Sequence, residues 1–179
     1  MDGVTILPTH RLIRDIAAFD TPSLLGAAEE HFNIEPLASA SELWSKMKDL
    51  HAEHVFGFYP ADLRKFYLLR LKPNVPESGD EVRGLDVSIL HSLLLERCLG
   101  IDASKLETQS HVDYEREREN CIRLVHEGHY QAAFFLNPTT AEQMQRIASR
   151  GQRMPQKSTD FYPKLLTGLV FMRMQIDKG

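Results

Sequence analysis

Residues 89–95 constrain the fold of this chain more than any other segment. Five of these seven residues are leucine or isoleucine, and they lie inside a longer helical pattern. A helix that is apolar on most sides needs neighbours on several sides, which places it inside the protein. Asp86 is suited to cap such a helix and Gly100 to end it. The sequence therefore predicts a central helix over residues 87–99.

Short candidate strands and further helices alternate around that segment. Candidate strands cover residues 4–7, 33–37, 55–59, 65–71, 110–115 and 130–136, while candidate helices follow Thr21 and Ser41 as caps and cover 116–127 and 139–150. Residues 8–11 are predicted to form a turn. This alternation indicates an α/β or α+β fold, a mixed sheet flanked by helices. A length of 179 residues suits one domain over residues 1–179.

Charge and composition exclude several classes of protein. The net charge of −4 argues against a non-specific nucleic-acid binder, whose surface is usually basic. Cys98 and Cys121 lack the spacing of a zinc site or a disulfide framework. No run approaches the ~18 apolar residues of a membrane span, and the start does not resemble a signal peptide. We therefore expect a cytoplasmic protein without nucleic-acid or membrane partners.

A basic segment near the carboxyl end is the first candidate binding site. From Arg150 to Lys164 the sequence has four basic residues and one acidic residue. Lys157, Ser158, Thr159 and Lys164 offer the ammonium and hydroxyl groups that meet phosphate oxygens. The glycines of a Walker-type phosphate loop are absent, so that motif is excluded. The alternative interpretation is a solvated loop with no specific ligand.

The tripeptide Thr9-His10-Arg11 is the second candidate. It presents a hydroxyl, an imidazole and a guanidinium in succession, a combination that suits phosphate or carboxylate. The hypothesis that follows is that this tripeptide and the segment from Lys157 to Lys164 converge on one small anionic ligand. Tripeptides of this kind are frequent, so chance remains the alternative.

Two residues are candidates for catalysis. His10 belongs to the basic tripeptide, and Asp113 lies on the candidate strand over residues 110–115. The alternating charges over residues 113–119 are otherwise typical of a solvated face. The pairs His51/His54 and His126/His129 lack the spacing of metal ligands, so no metal site is expected. His91 is predicted to be a buried, hydrogen-bonded histidine.

Four segments together resemble a known family. They are Leu7-Pro8-Thr9-His10-Arg11, residues 96–101 (Glu-Arg-Cys-Leu-Gly-Ile), residues 135–139 (Phe-Leu-Asn-Pro-Thr) and the motif that runs from Met154 to Leu169. In this order they resemble the C-terminal half of DUF1015, a family of unknown function.

The resemblance carries expectations about length and activity. Full members of that family are more than twice as long, and their N-terminal half carries an Asp-Gly-His-His-Arg-Tyr-type box. That box is similar to the phosphate-contacting box of the ParB and sulfiredoxin superfamily, which includes free-serine kinases. No such box occurs in this sequence, so the resemblance implies a fragment: the C-terminal part of a longer protein.

Two functions follow as alternatives. The first is the C-terminal part of a phosphotransferase-like enzyme that handles phosphate, with a nucleotide as the implied cofactor. The second is a non-catalytic structural or regulatory domain, in which Phe161 and Tyr162 fill a core.

Overall fold

An antiparallel sheet of six strands forms the framework of the computed structural model, which describes residues 5–73, 75 and 80–163. The strands are β1 (Thr5–Leu7), β2 (His10–Ile13), β3 (Phe32–Leu37), β4 (Val55–Pro60), β5 (Phe66–Leu71), β6 (Val112–Glu115), β7 (Ala132–Phe135) and β8 (Asp160–Tyr162). The sheet has the order β3-β5-β4-β7-β2-β6, and each neighbouring pair is antiparallel. β1 and β8 form a separate antiparallel ribbon.

Helices cover both faces of this sheet. They are α1 (Thr21–Ala28), α2 (Ala40–Asp49), α3 (Asp86–Ile89), α4 (Arg97–Leu99), α5 (Ala103–Glu107), α6 (Arg118–His126) and α7 (Ala141–Ser149). A π-helical segment, Leu90–Glu96, joins α3 to α4 without a break. We call residues 86–99 the central helix. It ends at Gly100, whose φ of 65° is readily adopted by glycine.

The alternation of side chains along β2 and β7 separates two apolar cores. Ile13 and Phe134 pack with residues of α1 and the central helix on one face, which we call the central-helix face. Leu12 and Phe135 pack with residues of α2 and α6 on the other, the α6 face. Successive residues of a strand point to opposite faces, so the position of a residue in β2 decides which core its side chain joins.

Gly57 in β4 fixes how closely α2 approaches the sheet. A Cβ atom at this position would lie 2.9 Å from Leu43 Cδ2, 3.1 Å from Met47 Sδ and 3.1 Å from Phe135 Cβ. These distances are shorter than ordinary van der Waals contact, so α2 packs against the backbone itself.

The predicted fold class is confirmed in its α+β form, a sheet flanked by helices. The predicted strands are present within one or two residues of their expected ends, and the predicted central helix is confirmed. The turn predicted over residues 8–11 is wrong from His10 onward, because His10 and Arg11 are the first residues of the buried strand β2. The four residues of β2 are too few to show the two-residue alternation of apolar and polar side chains that identifies a strand in a sequence.

Three predicted helix caps differ from those in the structure. Asp20, rather than Thr21, caps α1 by accepting the Ser23 amide at 2.8 Å. Ser39, rather than Ser41, caps α2. Asp86 is the first residue of α3 and makes no capping hydrogen bond. The π-helical segment, α5 and β8 were not predicted.

Two further points concern the chain as a whole. The predicted binding residue Lys164 and the apolar segment 165–174 lie outside the described residues. Within the described part of the chain, no helix combines the length and the apolar character needed to cross a membrane.

Candidate functional site

Arg11 is a fully buried cation with neutral hydrogen-bond partners. Its Nη1 donates to the main-chain oxygen of Thr9, and its Nη2 donates to that of Lys157 at 3.2 Å. The guanidinium carbon lies 5.1 Å from the centre of the Tyr114 ring. Within residues 5–73, 75 and 80–163, Arg11 has no carboxylate partner and its Nε has no hydrogen-bond partner. Burial lowers the pKa of Arg11 to about 10, so the guanidinium stays charged at neutral pH.

The turn above Arg11 holds Lys157 in an unusual conformation. The Ser158 amide and hydroxyl both donate to the Pro155 oxygen, at 3.3 and 2.6 Å. The Thr139 hydroxyl donates to the Ser158 oxygen at 3.0 Å. Lys157 has a φ of 55°, a left-handed value that is uncommon for a residue with a side chain. Its backbone is thus fixed on both sides while its side chain is exposed.

The structure brings two of the predicted basic residues together. The Lys157 Nζ lies 5.9 Å from the centre of the same Tyr114 ring that contacts Arg11. Thr159 follows in the chain and is half-buried, and Thr9 is held through its main-chain oxygen by Arg11. The hydroxyl of Ser158 is engaged with Pro155. We call the group formed by Arg11, Tyr114 and Lys157 the Arg11 cluster.

His10 does not belong to the Arg11 cluster. Its ring contacts the Phe135 ring edge-on at a centroid distance of 5.2 Å, on the α6 face of the sheet. Arg11, the next residue, points to the central-helix face. Burial, followed by the charges of Arg118 and Arg11, lowers the pKa of His10 to about 3, and the negative charge of Glu115 opposes this shift. The imidazole is therefore neutral at pH 7. Because His10 and Arg11 lie on opposite faces of the sheet, a single small ligand would not contact both side chains.

Asp113, the other candidate for catalysis, is engaged in a polar network. Its Oδ2 accepts from Arg14 Nε at 2.7 Å and from the Tyr130 hydroxyl at 3.0 Å. Asp113 pairs with Leu12 across the sheet. Its side chain follows the Leu12 side chain to the α6 face, away from Arg11 and Lys157.

The remaining histidines follow no metal-binding pattern. His54 Nδ1 lies 2.7 Å from Asp86 Oδ1, whereas His126 and His129 are exposed. No group of three or more His, Cys, Asp or Glu side chains suited to a metal ion occurs among the described residues. The predicted hydrogen bond of His91 is not found at Nε2, which is buried without a partner in the described part of the chain.

A cleft of about 870 Å³ lies over the central helix. Its walls come from the central helix, α5, α7 and residues 80–85, and Ser88, His91 and Ser92 line it. Burial, followed by the charge of Arg11, lowers the pKa of His91 to about 3. The charge of Arg11 thus acts on His91, which lines the cleft.

Sequence reasoning missed Tyr114, the aromatic residue that joins Arg11 to Lys157. It was assigned to a solvated face because its neighbours alternate in charge over residues 113–119. The sequence signal that could have identified it is that Tyr114 is the single aromatic residue among the alternating charges of residues 113–119. An aromatic ring is rarely placed in a purely solvated strand, and it offers a face for a cation.

Comparison with solved structures shows a shared fold. A conserved hypothetical protein from Pyrococcus furiosus is 14% identical, with a TM-score of 0.52 that covers 90% of this chain and 57% of that one. Free serine kinase in complex with AMP is 15% identical, with a TM-score of 0.51 over 89% of this chain and 54% of that one. Its E30Q mutant with AMP is 13% identical, with a TM-score of 0.52 over 89% and 55%.

The chain thus spans about half the length of the solved structures it matches. At these identities the similarity establishes the fold alone. No curated protein matches the sequence.

A family model gives the more specific result. The model of DUF1015, described as a protein of unknown function, matches residues 1–88. The match includes the motif Leu7-Pro8-Thr9-His10-Arg11, while the other three segments that resemble the family lie beyond residue 88. Residues 1–88, slightly less than half of this chain, are thus similar to the DUF1015 family.

Proposed function

We propose that this chain binds the phosphate group of a nucleotide through the Arg11 cluster, as the C-terminal part of a phosphotransferase-like enzyme. The observation that carries the proposal is the buried Arg11 guanidinium, which has no carboxylate partner among the described residues. A buried charge is costly unless another charge compensates it. An anion beside Lys157 would supply that compensation.

Each member of the cluster has a distinct part in this proposal. Lys157 is exposed, so its ammonium group and the Thr159 hydroxyl would contact the ligand. Arg11 lies beneath the turn, where it holds the Lys157 main chain and adds positive charge. Phosphoryl transfer depends mostly on positioning and charge stabilisation, which these groups would supply. Lys164 would extend the same basic segment.

Two further observations support a nucleotide rather than free phosphate. The cleft over the central helix has a volume within the usual range for small-molecule sites. The fold is similar to that of free serine kinase, which has been solved with AMP. The base and ribose of a nucleotide would occupy the cleft, while its phosphate faces Lys157.

The hydrogen bonds of Arg11 favour a second function, a non-catalytic domain. Both carbonyl contacts of Arg11 would hold the turn in place without any ligand. The earlier form of this alternative is wrong in one respect. Phe161 and Tyr162 are 42% and 60% exposed, so they do not fill a core.

Calorimetric titration with AMP and with inorganic phosphate tests the proposal. We expect binding that Lys157→Ala weakens by about tenfold, which corresponds to the loss of one charge-assisted hydrogen bond. The thermal midpoint should stay unchanged because Lys157 is exposed. Lys65→Ala, which removes an exposed lysine between β4 and β5, is the matched control and should bind normally. Equal binding by both variants would contradict the proposal and favour the non-catalytic domain.

A further inference from the structure

A second, smaller cavity lies on the α6 face of the sheet. It has a volume of about 260 Å³ and is lined by Leu7, Pro8, His10 and residues 116–119. Leu7 is the last residue of β1 and Pro8 follows it, while residues 116–119 comprise the approach to α6 and its first two residues. His10 and Arg11 point to opposite faces, so this cavity is separate from the Arg11 cluster. We call it the His10 cavity.

His10 presents a hydrogen-bond donor to this cavity. The Leu136 amide donates to His10 Nδ1 at 3.3 Å, so Nδ1 is the acceptor and Nε2 carries the proton of the neutral ring. His10 is 0% exposed, and its Nε2 has no partner in the described part of the chain. A buried donor without an acceptor destabilises the folded protein. His10 lines the cavity, where an acceptor atom within reach of Nε2 would remove this destabilisation.

The start of α6 adds further donors to the cavity. This helix has nine residues, and no side chain caps its amino-terminal end. The first amides of a helix lack partners within the helix and carry a partial positive charge. Glu115 accepts the amides of Arg116 and Glu117, at 2.6 and 3.2 Å, which precede the helix. The amides of the first helical turn are therefore left for another acceptor.

The charged side chains around the cavity leave one cation without an acidic partner. Arg116 forms an ion pair with Asp160. Arg118 lies over the Trp44 ring, 4.5 Å from its centre, and forms no ion pair within the described residues. Glu117 and Glu119 also line the cavity, but both are exposed to water, which screens their charge.

We infer that the His10 cavity binds a small oxyanion, a carboxylate or phosphate group, between His10 Nε2, the amino-terminal end of α6 and Arg118. The volume of about 260 Å³ exceeds the ~30 Å³ occupied by one water molecule. A helix start combined with an arginine is a common oxyanion site. This inference does not depend on the proposed function, because the two sites lie on opposite faces and share no side chain.

The proton on His10 Nε2 is the direct probe of this site. In protein with ¹⁵N-labelled histidine, titration with sodium phosphate and with sodium acetate should shift the Nε2–H resonance to saturation. A response to phosphate alone or to acetate alone supports the inference and identifies the class of oxyanion. Acetamide offers a neutral acceptor of similar shape, so an equal response to acetamide would overturn the inference.

Two substitutions of similar size make the test specific. Arg118→Gln should weaken binding by about fivefold or more, whereas Glu117→Gln should strengthen it, because the first removes a cation and the second a carboxylate. The folded state of each variant is checked by its thermal midpoint. Three outcomes would overturn the inference: no saturable shift, equal affinity in both variants, or a shift that disappears in Lys157→Ala. The last would place the oxyanion in the Arg11 cluster.

Discussion

Arg11 donates a hydrogen bond from Nη2 to the main-chain oxygen of Lys157 at 3.2 Å, although the two residues lie 146 positions apart. This bond joins the second strand of the chain to the turn over residues 155–158. The turn is also held by its internal hydrogen bonds and by the Thr139 hydroxyl, which donates to the Ser158 oxygen. Arg11 is the contact that holds the Lys157 oxygen itself.

The first prediction concerns this bond. Arg11→Met keeps a long apolar side chain but removes both hydrogen bonds to main-chain oxygens. We expect amide hydrogen exchange to accelerate over residues 155–159. The thermal midpoint should change less, because removal of a buried charge offsets part of the loss. Exchange by mass spectrometry measures the effect, and unchanged protection of this segment would contradict the role assigned to Arg11.

The second prediction concerns two glycines. Gly57→Ala would place a Cβ 2.9 Å from Leu43 Cδ2 and should reduce the free energy of unfolding by about 1–3 kcal/mol. Gly26→Ala is the matched control, since nothing lies within 4 Å of its Cβ position in α1. That control should be neutral or stabilising by up to ~1 kcal/mol. Urea denaturation measures the free energy of unfolding of both variants. Equal values for Gly57→Ala and Gly26→Ala would show that α2 packs less closely against β4 than described.

The third prediction concerns stability in acid. The pKa values of His10 and His91 are lowered to about 3, mainly by burial, whereas an unfolded histidine has a pKa near 6.5. Between these values the unfolded chain binds protons that the folded chain excludes. The free energy of unfolding should therefore fall as pH decreases below 6.5, by about 1.4 kcal/mol per pH unit for each histidine.

Urea denaturation at several pH values measures this slope. His91→Gln should reduce the dependence of the unfolding free energy on pH by the contribution of one histidine, about 1.4 kcal/mol per pH unit. His129→Gln changes an exposed histidine and serves as the control. A wild-type slope unaffected by His91→Gln would mean that His91 is protonated in the folded protein well above pH 3.

The fourth prediction concerns Tyr130. Burial and the hydrogen bond to Asp113 raise the pKa of Tyr130 in the folded state. Stability from this source is present below pH 10 and is lost as pH rises through the raised pKa. Asp113→Asn should bring the phenolate titration, followed by ultraviolet absorbance, to a lower pH. An unchanged titration would show that the Asp113 contact does not form in solution.

The sequence predicted more of the Arg11 cluster than of the His10 cavity. Arg11 and Lys157 were expected to converge because both segments are basic, and the structure places them around one aromatic ring. Their role in binding stays a prediction. His10 was grouped with Arg11 because a hydroxyl, an imidazole and a guanidinium follow one another in the sequence. In the strand β2, adjacent side chains point to opposite faces of the sheet, so His10 and Arg11 cannot contact one small ligand.

The central helix shows a different limit. Its apolar residues predicted a helix inside the fold, and the glycine at position 100 predicted its end. The π-helical segment Leu90–Glu96 has no signal in an apolar pattern, because leucines on most sides fit a wider helix as well as a regular one. Such segments are rare and frequently mark functional sites. Here it lines the cleft over the central helix.

The ribbon formed by β1 and β8 has a consequence for how the two proposed binding regions respond to proteolysis. Thr5 pairs with Tyr162 and Leu7 pairs with Asp160, so the first described strand supports the segment that follows Lys157. Proteolytic removal of residues 5–7 would leave β8 without its only described strand partner. We expect the turn over residues 155–158, which precedes β8, to become less ordered as a result. The same cut would open one wall of the His10 cavity, which includes Leu7. Loss of residues 5–7 would thus impair both the Arg11 cluster and the His10 cavity, which lie on opposite faces of the sheet.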